Sequence, residues 1–133
     1  MKNEKLERCL KRKQLRNNAL KRAILEVIEE SDMALKAEEI QQRLRNYPVR
    51  KPAINTIYRT LQILVDCDVI SAINVGQTRY FTKHGASYFI CRECNRLISG
   101  PKLPEEVKRK IAKWFETDDA FEMVIYNLCK RCK

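Results

Sequence analysis

Four cysteines carry the most pointed chemistry in this chain. Cys91-x2-Cys94 is followed, after 34 intervening residues, by Cys129-x2-Cys132. A two-residue spacer puts both sulfurs of a pair on one tight turn, and four thiolates with no open position make the closed tetrahedral set of a structural zinc site. Redox-active CxxC pairs and unrelated buried cysteines are the competing readings. An iron–sulfur cluster also accepts four thiolates, but nothing else here points to electron transfer. Cys9 and Cys67 stand outside the pattern and read as small packing residues, with a regulatory thiol as the alternative.

A second group of residues could bind rather than coordinate. From Gln41 to Val65 there is no acidic residue, while Arg43, Arg45, Arg50, Lys51 and Arg59 contribute five positive charges. Within it, Ile54, Ile57, Tyr58, Leu61, Leu64 and Val65 form one helical stripe, leaving Asn55, Thr56, Arg59, Thr60 and Gln62 on the opposite face. Residues 1 to 22 hold nine Lys/Arg against two Glu, so +7 of the net +10 lies there. Such blocks suit a phosphate backbone or an anionic membrane surface; solvated helix faces are the plainer reading.

Composition narrows the field. With 133 residues, 44% of them hydrophobic, one or two small domains with a packed core are feasible. No apolar stretch approaches the roughly 20 residues of a membrane span. The charged N-terminus lacks a secretory apolar segment, which places the chain in the cytoplasm, where disulfides are disfavoured. There is no Ser/His/Asp set, no phosphate-binding Gly-rich loop and no paired carboxylates in an evident pocket, so an enzyme is not expected.

These residues need elements to position them. Leu6, Cys9 and Leu10 give a short basic helix an apolar edge; Asn17 and Asn18 can cap a second carrying Ala19, Ala23, Ile24, Val27 and Ile28. A third opens at Lys36-Ala37-Glu38-Glu39 and closes at Tyr47-Pro48, and Pro52 suits the first turn of the long fourth. Val69 to Val75 and Gln77 to Thr82 flank Gly76 as a hairpin. Helices followed by a hairpin describe a winged helix-turn-helix, in which the last helix enters the major groove. Beyond His84-Gly85 come Tyr88 to Cys91, Leu97 to Ser99, a helix from about Pro104 to Glu116 with a Val107, Ile111, Trp114 and Phe115 stripe, and a run from Ala120 to Leu128 that reads as a strand buried on both sides. The expected architecture is α+β: a winged-helix DNA-binding domain at 1–82 and a small α/β dimerisation domain at 83–133, the latter too small to stand without a metal and a partner.

Asn55-Thr56-Ile57-Tyr58-Arg59-Thr60-Leu61 resembles the recognition-helix motif A-T-V-Y-R-T-L of the ferric uptake regulator family, and Gly76-Gln77-Thr78-Arg79-Tyr80 resembles its wing. Phe89-Ile90-Cys91-Arg92-Glu93-Cys94 and Leu128-Cys129-Lys130-Arg131-Cys132 resemble its two zinc-cysteine pairs. The likeness implies a homodimeric transcriptional regulator, contacts to bases or the backbone of double-stranded DNA from Asn55, Thr56, Tyr58 and Arg59, phosphate or minor-groove contacts from Lys11, Lys13 and Arg16, and one structural zinc per chain. Guanidinium chemistry agrees for Arg59, which can grip guanine through two parallel hydrogen bonds. Tyr58 also fits the packing stripe.

The departures from the family matter equally. Its regulatory metal is typically bound by several His with Glu or Asp, yet this chain has one His. Phe81 stands where a Glu is expected, Gly85, Ala86, Ser87 and Tyr88 replace His-rich residues, and Ala34-Leu35 occupies a further His region. His84 then reads as a hinge residue. Asp68 and Asn95 replace glycines but tolerate a left-handed backbone. The sequence therefore points to a zinc-stabilised repressor that has lost or rebuilt its metal-sensing site. A metal or redox sensor with a Cys-based site, and a basic zinc-binding adaptor for a protein or RNA, are the alternatives.

Overall fold

The computed structural model describes residues 2–133. It runs α1 (Lys2–Arg12), α2 (Ala19–Glu30), α3 (Ala37–Arg43) continued by one 3-10 turn at Leu44–Asn46, α4 (Ile54–Asp66), β1 (Ser71–Val75), β2 (Thr78–Thr82), β3 (Ser87–Cys91), β4 (Leu97–Ser99), α5 (Glu105–Trp114) and β5 (Met123–Asn127). Among the described residues, no helix is long and apolar enough to cross a membrane.

The apolar stripes decide the first half. Leu6 and Leu10 of α1, Ile24 and Ile28 of α2, Ile40 of α3 and Ile57, Leu61 and Leu64 of α4 form one buried cluster. Asn18 caps α2, its side chain accepting the Lys21 N–H at 2.9 Å. Helix α4 begins at Ile54, so Pro52 lies before the helix rather than in its first turn. Thr60 lies on the buried side, not on the polar face: its hydroxyl donates back to the Thr56 carbonyl at 2.8 Å, which lets it enter the core without an unmet donor.

Strands β1 and β2 pair antiparallel from Ser71↔Thr82 to Val75↔Thr78. Gly76, at φ +61, makes the turn, and a Cβ there would meet Asn95 Nδ2 at 2.9 Å. Leu35 and Phe81 exchange backbone hydrogen bonds of 2.9 and 2.7 Å, attaching the hairpin to the segment between α2 and α3. The second sheet has the order β4-β3-β5, with β3 antiparallel to β4 and parallel to β5. A small second cluster joins Ile73 and Val75 of the hairpin to Tyr88 and Ile90 of β3. The C-terminal half therefore borrows its buried apolar surface from the wing.

Three further expectations need correction. Cys9 and Cys67 are joined in a disulfide rather than standing as separate packing thiols. The Leu6/Leu10 edge docks α1 at the end of α4 and brings the two Cα atoms to 5.6 Å, within bridging range. Strand β5 is not buried on both sides: it is an edge strand, and Ile125 and Tyr126 are exposed. Most of the α5 stripe is exposed too: Ile111 is half-buried, but Val107 is exposed and Trp114 and Phe115 stand at 73% each, because this chain supplies nothing to cover them.

Candidate metal centre and nucleic-acid interface

Parallel pairing of β3 and β5 builds the cysteine site. Their register sets Cys91 opposite Asn127, so both chains leave the same end of the sheet together. Each then turns tightly: Asn95 N–H donates to Cys91 O at 2.9 Å, and Cys132 N–H donates to Cys129 O at 2.9 Å. Asn95 adopts the left-handed conformation at φ 60, as does Asp68 at φ 56, so both substitutes for glycine perform the expected backbone role.

All four Sγ atoms lie within 4.8 Å of one another, and Cys94 Sγ is 3.8 Å from Cys129 Sγ. Zinc–sulfur bonds of about 2.3 Å in a tetrahedron put sulfurs roughly 3.8 Å apart, so the donor set fits zinc. Cys91 Sγ accepts the backbone N–H groups of Cys94 at 3.5 Å and Cys129 at 3.4 Å. These bonds favour its thiolate and lower its pKa to about 6. Hydrogen bonding with the Cys129 and Cys91 sulfurs instead pushes the Cys132 thiol up to about 12. Concentrating four thiolates here is costly without a cation, and a divalent ion would remove that cost.

The other candidate residues fall into two places. On α4, Asn55, Tyr58 and Arg59 are exposed and Thr56 is half-buried. Tyr58 does not join the core; its hydroxyl donates to Glu38 Oε2 of α3 at 3.2 Å. Among the described residues, Arg59 has no carboxylate partner, only a 3.5 Å contact to Thr56 Oγ1, and remains available to an outside acceptor. Lys11 lies in the last turn of α1, and Lys13 and Arg16 lie in the following segment; all three are exposed. No hydrogen bond or ion pair among the described residues links them to the Asn55–Arg59 face. Sequence reading missed the tie from the wing to this helix, where Arg79 Nη1 donates to Gln62 Oε1 at 2.9 Å. No local signal marks it, since Gln62 also donates to Asp66 Oδ1 within its own helix at 2.8 Å and Arg79 lies over the Phe81 ring.

The positions that depart from the family pattern are occupied structurally. Phe81 is 1% exposed in the main core, and Tyr88 bonds Thr82 through its hydroxyl. Ser87 Oγ donates to the Pro101 carbonyl. His84 lies between the halves: Nε2 donates to Asp68 O at 3.0 Å, while Nδ1 pairs with Ser71 Oγ at 3.2 Å and lies 3.9 Å from Glu122 Oε2. The Glu122 carboxylate beside it and the hydrogen bond to Asp68 raise its pKa against the opposing effect of burial. Among the described residues, the four cysteines are the group of three or more Cys, His, Asp or Glu donors that converges as a metal site.

Helices, a wing and a cysteine-clamped sheet define a winged-helix regulator with a metal-binding knuckle. The chain belongs to the ferric uptake regulator family of metal-responsive transcriptional regulators, whose model matches residues 12–126. It is 26% identical over 130 residues to the ferric uptake regulation protein of Staphylococcus epidermidis, covering 90% of this chain and 91% of that one. Identity to the Bacillus subtilis (strain 168) protein of the same name is 27% over 120 residues, or 80% of this chain and 76% of its relative. The Helicobacter pylori ferric uptake regulator structure superposes with a TM-score of 0.64 at 22% identity, covering 99% of this chain and 93% of that one. That protein is described as having three functional metal-binding sites.

Proposed function

We propose that this protein is a cytoplasmic, homodimeric repressor that reads double-stranded DNA through α4, is held together by one zinc per chain on Cys91, Cys94, Cys129 and Cys132, and needs no second, regulatory metal. The observation that carries the DNA reading is the acid-free start of α4, with Asn55, Thr56, Tyr58 and an Arg59 that has no carboxylate partner among the described residues, flanked by the wing that Arg79 fastens to Gln62. A helix of this kind suits base edges in the major groove, and the wing suits the adjoining backbone. Residues 1–82 are the DNA-binding domain in this reading and 83–133 the dimerisation domain. The adaptor alternative has no comparable feature in its favour.

The test is selection of duplexes from a random pool by the zinc-loaded protein, followed by affinity measurements at fixed salt. A pseudo-palindromic sequence should emerge, mirroring the two-fold symmetry of the dimer. Arg59→Ala should cost roughly 1 to 3 kcal/mol and relax preference at one base position, because a two-pronged guanine contact is lost. Neutralising Lys11, Lys13 or Arg16 should weaken all duplexes alike and flatten the salt dependence. If Arg59→Ala binds every sequence as the parent does, α4 does not read bases.

Metal independence follows from linkage. A ligand shifts a conformational equilibrium only by its differential affinity for the two states, so activation by metal needs a second site. The family positions for such ligands hold Phe81, Ala86, Ser87 and Tyr88, and His84 is engaged with Ser71, Asp68 and Glu122. Titrating iron, manganese or zinc into protein that already holds its cysteine-bound zinc should leave duplex affinity unchanged. A tightening of about tenfold with any one metal, ~1.4 kcal/mol of coupling, would reveal a regulatory site and refute this part of the reading.

A further inference from the structure

We infer that Cys9–Cys67 is a reversible thiol–disulfide site that sets how firmly the basic helix α1 is held, and through it the strength of duplex binding. The inference rests on the DNA-binding reading above and supplies the signal that the missing metal ligands leave open.

The disulfide lies at a junction. Cys67 caps α4, and the next residue, Asp68, receives Lys5 Nζ from α1 on both its carboxylate, at 2.8 Å, and its carbonyl, at 2.9 Å. The same carbonyl accepts His84 Nε2 at 3.0 Å. One residue step thus joins the basic helix, the end of the DNA-reading helix and the hinge. The bridge ties together segments 58 residues apart, which no local hydrogen bond would hold.

Both sulfurs are buried, so a reagent must reach them through local opening. Helix α1 is suited to that. It has 11 residues, and isolated helices shorter than about 12–15 residues are marginal in water. Its packing side chains are Leu6, Cys9 and Leu10. The Lys5–Asp68 pair is partly exposed and contributes little by itself. Lys5 and Arg8 line a cleft of about 730 Å³ with His84, Lys102 and Lys108, so solvent already reaches one flank of the helix. Short elements with few packing side chains open at low free energy.

A dithiol of the kind that keeps cytoplasmic thiols reduced completes the chemistry. One of its thiolates attacks a sulfur of the bridge, the Cys9–Cys67 bond breaks, and the other cysteine leaves as a thiolate. The second reagent sulfur then displaces the mixed disulfide. Two electrons and two protons pass to the protein, which holds two thiols, and the reagent leaves as its own disulfide. A disulfide oxidant reverses the sequence.

Reduction need not unfold the core, because two cysteine thiols remain small apolar residues in the same cluster. It removes the covalent tie, and α1 undocks part of the time, carrying Arg8, Lys11 and Arg12 with it. A docked arm has already lost the freedom that binding would otherwise remove, so the oxidised form binds phosphate more tightly.

The decisive experiment uses the full chain with its zinc, oxidised or equilibrated with dithiothreitol, against a duplex selected by the oxidised protein. Zinc content is measured in each sample, and amide exchange in α1 is followed alongside affinity between 50 and 200 mM salt. Reduction should weaken binding about tenfold or more, flatten the salt slope by about two, and speed exchange in α1 while α2 to α4 stay protected. The double variant C9S/C67S should match the reduced protein in either buffer. Equal affinity and equal α1 exchange in the two states overturn the inference, as does a difference that the double variant retains on changing buffer, since that would place the effect on the zinc thiols. If neither state retains any duplex, the DNA-binding reading fails instead, and α1 exchange still decides the switch: unchanged protection overturns it.

Discussion

Replacing Cys91 with Ser is expected to leave the chain without its zinc, to melt the sheet of β3, β4 and β5, and to prevent dimer formation, while α2 to α4 remain folded. A serine hydroxyl does not supply a thiolate, so the site drops to three sulfurs and an open position. Cys91 is also the sulfur that accepts two backbone N–H groups, and it anchors both turns at once. Structural zinc contributes on the order of 10 kcal/mol of folding free energy in small modules. The C-terminal half has little to set against such a loss. Its fully buried apolar residues are few, and the cluster they form depends on Ile73 and Val75 from the wing. The N-terminal cluster is larger and contains no residue beyond Phe81, which is why the damage should stop there. Zinc content, near-ultraviolet dichroism of Trp114 and amide exchange in β3 and β5 would follow the collapse. A zinc-free Cys91→Ser protein with protected strands and an intact dimer would refute the structural role of the metal. Prolonged treatment of the parent with a strong chelator should reproduce the variant.

The difference between the halves also explains what could be read from residues alone. The cysteine spacing was sufficient to pick out the four sulfurs that converge, because a CxxC turn is local and two such turns with the right donors leave few other uses. The α4 stripe and the Gly76 hairpin were legible for the same reason: a 3.6-residue period and a required left-handed turn both act within a few residues. The disulfide was not legible. Cys9 and Cys67 are 58 residues apart, and only the docking of α1 on the end of α4 makes them neighbours. Compartment reasoning pointed the other way, since disulfides are rare among reduced thiol pools. Thr60 was misplaced because a threonine that satisfies its own hydroxyl with the preceding turn carries no sequence mark of doing so. His84 stands out as the single histidine, but its partners come from two distant segments, Asp68 and Ser71 where α4 passes into β1 and Glu122 just before β5.

The β5 error has a different origin and leads to the second large effect. An apolar run is apolar because something covers it, and sequence does not say whether the cover is the same chain or another copy. Here the chain leaves Trp114 and Phe115 each 73% exposed on α5, with Val107 beside them and Ile125 and Tyr126 exposed on an edge strand. This is unusual for a chain with a mean hydropathy of −0.50, and an uncovered strand edge invites further pairing. In the proposed homodimer a second copy would satisfy both, and each substitution would be felt twice. Truncating a buried Trp or Phe to Ala costs about 3 to 5 kcal/mol where the side chain is well covered. The Trp114→Ala/Phe115→Ala variant should therefore weaken dimerisation by several orders of magnitude, on the order of 1.4 kcal/mol for each factor of ten. Unlike Cys91→Ser, it should keep its zinc and its β3 and β5 protection, because these aromatics contribute little burial within their own chain. Sedimentation would then show a folded, zinc-loaded monomer, and that monomer should occupy a single half-site with its preference at the Arg59 position intact. A variant that sediments as a dimer at the parent's concentration would move the interface away from α5. A variant that loses zinc as well would show that the knuckle closes only once two copies meet.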